Sequence, residues 1–341
     1  MKSVVLLNDT SFENHHGCNI VIKNIKRNLE ERDIKLLATN PIGKDWKKNT
    51  NFLNKLKQAD GVIINAEGTL HDNSSYGYSL LEIVNYTNKP CFLINMTYQN
   101  NSKKFSELVS KFTKVYVRET FSKNELAKYS IDSMVVPDMT FYKLENNIKI
   151  KQEKMIYITD SHDINKSKIL YEFSENNNIV FLPIISPFDK YHNLKGFFKK
   201  IKYLFFSKYR YLLGKFFNFN YKYVRFYFTR KEDEFLEDIQ NCDFLISARF
   251  HAICLSLHFQ IPFLALSSNT FKIESLFSDI GLNKNRIIKE EDLHDVFKLK
   301  NNLIKFSSEE LSNINDYIED GNKKINLMFD EINWVIKENM K

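Results

Sequence analysis

Residues 241–266, NCDFLISARFHAICLSLHFQIPFLAL, decide the fold. DFLIS and PFLAL are short apolar runs of strand-forming residues, and HAICLSLHF between them is long enough and apolar enough for a buried helix. Strand, helix and strand in so few residues form a βαβ unit with its strands parallel. Arg249 and His251 then fall at the carboxyl end of the first strand, beside a helix that starts near Ala252. Backbone N–H groups and the helix dipole at such a point favour an anion. A guanidinium adds forked recognition of carboxylate or phosphate, and an imidazole moves a proton near neutral pH; the bland alternative is an arginine and a histidine satisfied by ordinary partners in the core.

The alternation extends in both directions. SVVLLN (3–8) opens the chain as a strand, followed by a polar turn through NHHGCN (14–19) and a helix in which Ile20, Ile25 and Leu29 recur near helical spacing. IKLLAT, GVII, PCFLINMTY and KVYVRE continue as strands, with helical stretches NFLNKLKQA, SLLEIVNYTN, KKFSELVSKF and TFSKNELAKYS among them. After MVVPDMTF comes a charged stretch without a periodic face, 143–154, which suits a linker. A second series begins at MIYITD and runs through the quoted stretch to FKIESLFSDI. The expected fold class is α/β, with two Rossmann-like halves, 1–145 and 146–310, facing across a cleft, and one or two closing helices over 311–341. Ligands of parallel sheets sit beyond the carboxyl ends of the strands.

Composition bounds the rest. With 43% hydrophobic residues and only 9 Gly and 6 Pro in 341, the chain can fill two cores and is neither disordered nor fibrous. The first residues lack the apolar core and cleavage site of a secretory signal, and no run approaches a membrane span, so a cytoplasmic protein is expected. Four scattered cysteines without a CxxC pair imply reduced thiols, and neither cysteines nor histidines show metal-ligand spacing; no metal is expected.

The net charge of +7 comes from one segment. Residues 190–231 contain 12 Lys or Arg, 16 Phe or Tyr and no acid, and without them the charge becomes −5. That mixture suits a helix in an anionic membrane interface. The same residues would also serve single-stranded nucleic acid, the less favoured partner, or plain amphipathic packing.

Two further loops carry candidate chemistry. NHHGCN holds Asn14, His16 and Gly17 in the first βα turn, where Gly17 lets the backbone approach a ligand; the bland alternative is a turn glycine before a helix capped by Asn19. NAEGTLHD (65–72) places Glu67, Gly68, Thr69, His71 and Asp72 in one loop, offering a carboxylate and an imidazole to a polyhydroxylated ligand, or simply a solvated loop. Arg118 in VRET ends a strand and either faces the cleft or pairs with an acid.

Taken in order, NHHGCN, NAEGTLHD, VRETFSKNEL, VVPDMTF, SARFHA…IPFLAL and SSNTFKIESL resemble the polysaccharide pyruvyl transferase family, over about residues 4–142 and 232–282. The resemblance implies a GT-B-like fold and transfer of pyruvate from phosphoenolpyruvate to a sugar, usually as a ketal across two hydroxyls, with no cofactor. It places the Arg-x-His element on Arg249 and His251 as catalytic residues. Lys272, with Ser268, Asn269 and Arg249, falls on the donor side; Asn14, His16, Gly17, Glu67, Gly68, His71 and Arg118 fall on the acceptor side. The sequence departs from the family at Cys18, where many members have aspartate, and at Asn65 and Ala66, where many have glycine. Segment 190–231 has no counterpart and looks like an insertion in the second half. The expected partners are a saccharide acceptor, lipid-linked or not, and peripheral contact with an anionic membrane. Two rivals are a GT-B-type glycosyltransferase with a nucleotide-sugar donor, and a non-catalytic module binding glycans, lipids or nucleic acid through 190–231.

Overall fold

The computed structural model describes residues 2–13, 15–144, 155–185, 231–297 and 303–340. Most of the linker, residues 190–230 of the basic segment, and Asn14 lie outside the described residues.

Among the described residues the first half is built on strands β1 (Ser3–Asp9), β2 (Lys35–Pro41), β3 (Gly61–Asn65), β5 (Cys91–Met96), β7 (Lys114–Val117) and β8 (Met134–Val135). They form a parallel sheet in the order β2-β1-β3-β5-β7-β8. A short parallel pair, β4 (Leu70–His71) with β6 (Tyr98–Gln99), lies outside it. The strands are continuously apolar because both faces are covered. Val5, Leu7, Val62 and Ile64 bury one face against helices α2 (Thr50–Gln58), α3 (Ser75–Leu81) and α4 (Lys103–Val109). Val4, Leu6 and Ile63 bury the other against α1 (His16–Glu30). Helix α5 (Thr120–Ala127) follows β7.

The second half repeats the plan. Strands β9 (Met155–Ile158), β10 (Val180–Phe181), β11 (Cys242–Ser247), β12 (Phe263–Leu266) and β13 (Ile287–Ile288) form a parallel sheet in the order β10-β9-β11-β12-β13. Its helices are α6 (Ile164–Asn176), α7 (Glu232–Gln240), α8 (Phe250–His258) and α9 (Lys272–Ile280). Helix α8 carries buried residues on all sides, from Phe250 to Leu257, as the opening stretch predicts.

Helix α10 (Ser308–Glu338) is the closing element, and it is one 31-residue helix. It begins with a capping box between Ser307 and Glu310. Ile314, Leu311, Tyr317 and Ile318 enter the second half's core, whereas Ile325, Met328, Phe329, Ile332 and Ile336 enter the first half's. The expected separate closing unit therefore belongs to both cores and ties them together. Direct bonds also cross between the halves: the His16 N–H donates to the Ile184 carbonyl at 3.0 Å, and the Phe271 N–H donates to Gln99 Oε1 at 2.9 Å. Among the described residues no helix is long and apolar enough to cross a membrane.

Candidate active site

Both sheets change winding direction next to their first strand, β1 with β3 and β9 with β11, and a crevice opens at such a switch point beyond the strand ends. The loops after these four strands meet across one cavity of about 1000 Å³. Glu67, Gly68, His71 and Arg118 line it from the first half; Arg249, His251, Ser268, Asn269 and Lys272 line it from the second.

Arg249 is the residue just before α8. Its Nη2 donates to Asp160 Oδ2 at 2.5 Å, and Asp160 Oδ1 accepts the Ile184 N–H at 3.0 Å. The buried Nε of Arg249 has no protein partner. Leaving a buried donor unpaired costs about 1–3 kcal/mol, which an anion in the cavity would recover. One arm of the fork is thus anchored on Asp160, while Nε has no protein acceptor.

His251 is the second residue of α8. Its Nε2 lies 3.6 Å from Asp138 Oδ2, beyond hydrogen-bond length but within strong reach of the charge. Asp138 accepts from Arg118 Nη1 and from the Thr140 N–H, each at 2.9 Å. Burial alone would raise the Asp138 pKa; His251, Arg118 and the Thr140 N–H outweigh it and hold the carboxyl well below the usual range. A permanent anion therefore stands behind the imidazole.

Gly17 explains how His251 is held. A Cβ built on Gly17 would lie 2.3 Å from His251 Cβ and 2.7 Å from its Nδ1. The group packed closest against Gly17 in the fold is the His251 side chain. We expect Gly17→Ala to displace the imidazole and lower kcat/KM by roughly 10²-fold, as a misplacement of about 1 Å does. Steady-state kinetics checks this, and turnover at the wild-type rate would remove the packing role.

Arg118 is buried with three kinds of partner: Nε donates to Thr97 Oγ1 at 2.8 Å, Nη1 bonds Asp138, and the guanidinium lies 4.3 Å over the Phe250 ring. Lys272 is the first residue of α9. Burial lowers its pKa, and Arg118 and Arg249 nearby lower it further, to about 8. Three cations therefore converge on one cavity, and their mutual repulsion is what a bound anion relieves. Across from them Glu67 accepts from Thr10 Oγ1 at 2.9 Å and Asn65 Nδ2 at 3.0 Å, with Cys18 Sγ at 3.5 Å. Its backbone sits at φ 31°, a left-handed conformation that non-glycine residues adopt only where the surroundings enforce it.

Two expectations for the first turn need correction. Helix α1 begins at His16, so the cap is His15, whose Nδ1 accepts the Cys18 N–H at 3.3 Å, and not Asn19. His16 is then fully buried, stacked on Phe235 at 4.6 Å, with neither ring nitrogen hydrogen-bonded. Burial pulls its pKa down to about 4, so it is neutral, and it does not line the cavity. His15 takes its place, with Cys18, Tyr76 and Lys166 also on the wall. Asp138 and Asp160, which stand behind His251 and Arg249, face the protein and so do not read as ligand-facing residues; the signal for them is that each follows a strand within two or three residues. The expectation of no metal-ligand cluster also fails in part, since His15, Cys18 and His251 come together from distant positions.

A family model for polysaccharide pyruvyl transferases matches residues 10–270. No curated protein matches the sequence significantly. Among solved structures, UDP-GlcNAc 2-epimerase from Methanocaldococcus jannaschii in complex with UDP-GlcNAc and UDP is similar at a TM-score of 0.54, with 13% identity, covering 96% of this chain and 99% of that one. The S. aureus MnaA–UDP co-structure is similar at 0.52, with 11% identity, covering 94% and 96%. At that identity the likeness is one of fold, two facing α/β halves of the GT-B-like kind.

Proposed function

Because the chain belongs to the polysaccharide pyruvyl transferase family, we propose that it moves a pyruvyl group from phosphoenolpyruvate to a saccharide of a cell-surface polysaccharide or its lipid-linked precursor. The family makes it a transferase acting on a saccharide. The observation that carries it is the convergence of Arg118, Arg249 and Lys272 on the cavity that also holds His251.

Phosphoenolpyruvate carries a carboxylate and a phosphate, and the three cations with the N-terminus of α8 supply the opposing charge. His251, protonated and backed by Asp138, donates to the methylene carbon, leaving C2 electrophilic. A sugar hydroxyl adds to C2 and returns its proton to His251. Phosphate then departs as a second hydroxyl attacks C2 and hands its proton to the leaving group. The products are the ketal and hydrogen phosphate, and the cations stabilise the charge that builds on the leaving oxygen. Glu67, Gly68 and His71 stand on the acceptor side, where polar groups can hold hydroxyls.

Phosphate release that depends on added saccharide supports this reading when the protein is incubated with phosphoenolpyruvate. Nucleoside phosphate release from a nucleotide sugar instead would replace it with the glycosyltransferase reading. Segment 190–231, by its composition, suits peripheral contact with the inner face of the cytoplasmic membrane, where lipid-linked acceptors are found.

Lys272 gives the reaction a pH signature. Its charge is complete well below pH 8 and is lost as pH rises through about 8, so kcat/KM for the donor should fall above that pH, approaching tenfold per unit. Lys272→Arg keeps its charge and should move that limb to higher pH. An unchanged limb in the variant would assign it to another group.

A further inference from the structure

Three side chains drawn from both halves meet at the floor of the cleft. His15, Cys18 and His251 each offer one ligand atom, and these atoms all lie within 4.8 Å of one another. All three residues are at least nine-tenths buried. One thiol and two imidazoles are a donor set for zinc and similar borderline divalent ions.

Supporting groups behind each ligand suit the same use. Asp138 faces His251 Nε2, which directs Nδ1 toward the start of α1, where Gly17 and Cys18 lie. A carboxylate behind an imidazole in this way fixes the ring and raises its basicity as a ligand. Cys18 Sγ lies 3.5 Å from Glu67 Oε2, which fixes the direction of the thiol. His15 Nδ1 is turned to the same side, toward the Cys18 N–H, through a long hydrogen bond of 3.3 Å that a stronger partner can replace.

We propose that His15, Cys18 and His251 bind one zinc-class divalent ion, with a fourth position open to the cavity, and that the bound ion stops pyruvyl transfer by occupying His251. The ion replaces the thiol proton, which is released to water, and no electron is transferred. Binding stands on the geometry alone, whereas inhibition rests on the proposed function.

The full chain, freed of metal by a chelator, is titrated with Zn²⁺ against a chromophoric indicator. One equivalent should bind to the wild type, and Cys18→Ser should weaken it by at least about 100-fold. His15→Asn, which keeps a cap acceptor for α1, should do the same. Replacement by Co²⁺ should give a thiolate charge-transfer absorption in the wild type that Cys18→Ser lacks. Melting of the metal-free variants near the wild-type temperature separates ligand loss from unfolding. Failure of the wild type to bind, or equal binding by Cys18→Ser, would overturn the site. With the site filled, pyruvyl transfer should stop and return on chelation; undiminished turnover would overturn the inhibitory role. Zinc bound without any pyruvyl transfer in the metal-free protein would sink the proposed function and leave the site standing.

Discussion

His251→Gln is expected to lower kcat/KM for pyruvyl transfer by about 10²–10⁴-fold, the range that one positioned proton donor supplies. The imidazole has two tasks in succession, giving a proton to the donor carbon and receiving one from the sugar hydroxyl, and glutamine can perform neither. Folding should be affected far less, because Asp138 keeps its bonds to Arg118 and Thr140 when the histidine is lost. Glutamine also spares the close fit to Gly17 better than a larger ring would. The measurement is a comparison of steady-state rates with denaturant unfolding curves for the same preparations. Full activity in a normally folded variant would mean that the proton comes from elsewhere.

Arg249→Ala should fail in two separable ways. Donor affinity drops, since the guanidinium supplies the unpaired Nε and part of the cationic field. Stability drops as well. Asp160 is completely buried and would lose its 2.5 Å partner, and breaking a buried pair by removing one member costs about 3–5 kcal/mol. Adding Asp160→Asn neutralises the stranded carboxylate, so the double variant should recover much of the stability. It should recover none of the donor binding. If instead both properties return together, Arg249 serves only to hold Asp160 and the anion-site assignment is wrong.

Much of this was legible in the sequence because parallel sheets advertise themselves. Apolar runs such as GVII and DFLIS separated by amphipathic stretches leave few alternatives, and strand ends locate the crevice. Arg249, His251, Lys272 and Glu67, which line the cavity, are legible as candidates because each stands just past a strand or at a helix start. What stayed hidden depends on three-dimensional proximity. His15 and His16 are adjacent and chemically identical, and only the starting point of α1 decides which faces the cavity. Gly17 reads as a place where the backbone approaches a ligand, and nothing local shows that His251, 234 positions downstream, packs against it. The matching strand order of the two sheets leaves no trace as a sequence repeat, because many apolar residues fill a buried strand equally well. Helix α10 reads as an amphipathic helix, and nothing local says that its two ends serve different cores.

Binding of phosphoenolpyruvate to the wild type, followed as a shift in melting temperature beside uridine diphosphate and a nucleotide sugar, tests the central claim most directly. At a concentration about 100 times its Kd the favoured ligand stabilises the native state by about 2.7 kcal/mol, enough to move the transition by several degrees. Phosphoenolpyruvate should raise the melting temperature of the wild type and not that of the Arg249→Ala, Asp160→Asn double variant. A shift given by the nucleotides alone, or one that survives unchanged in the double variant, would contradict it.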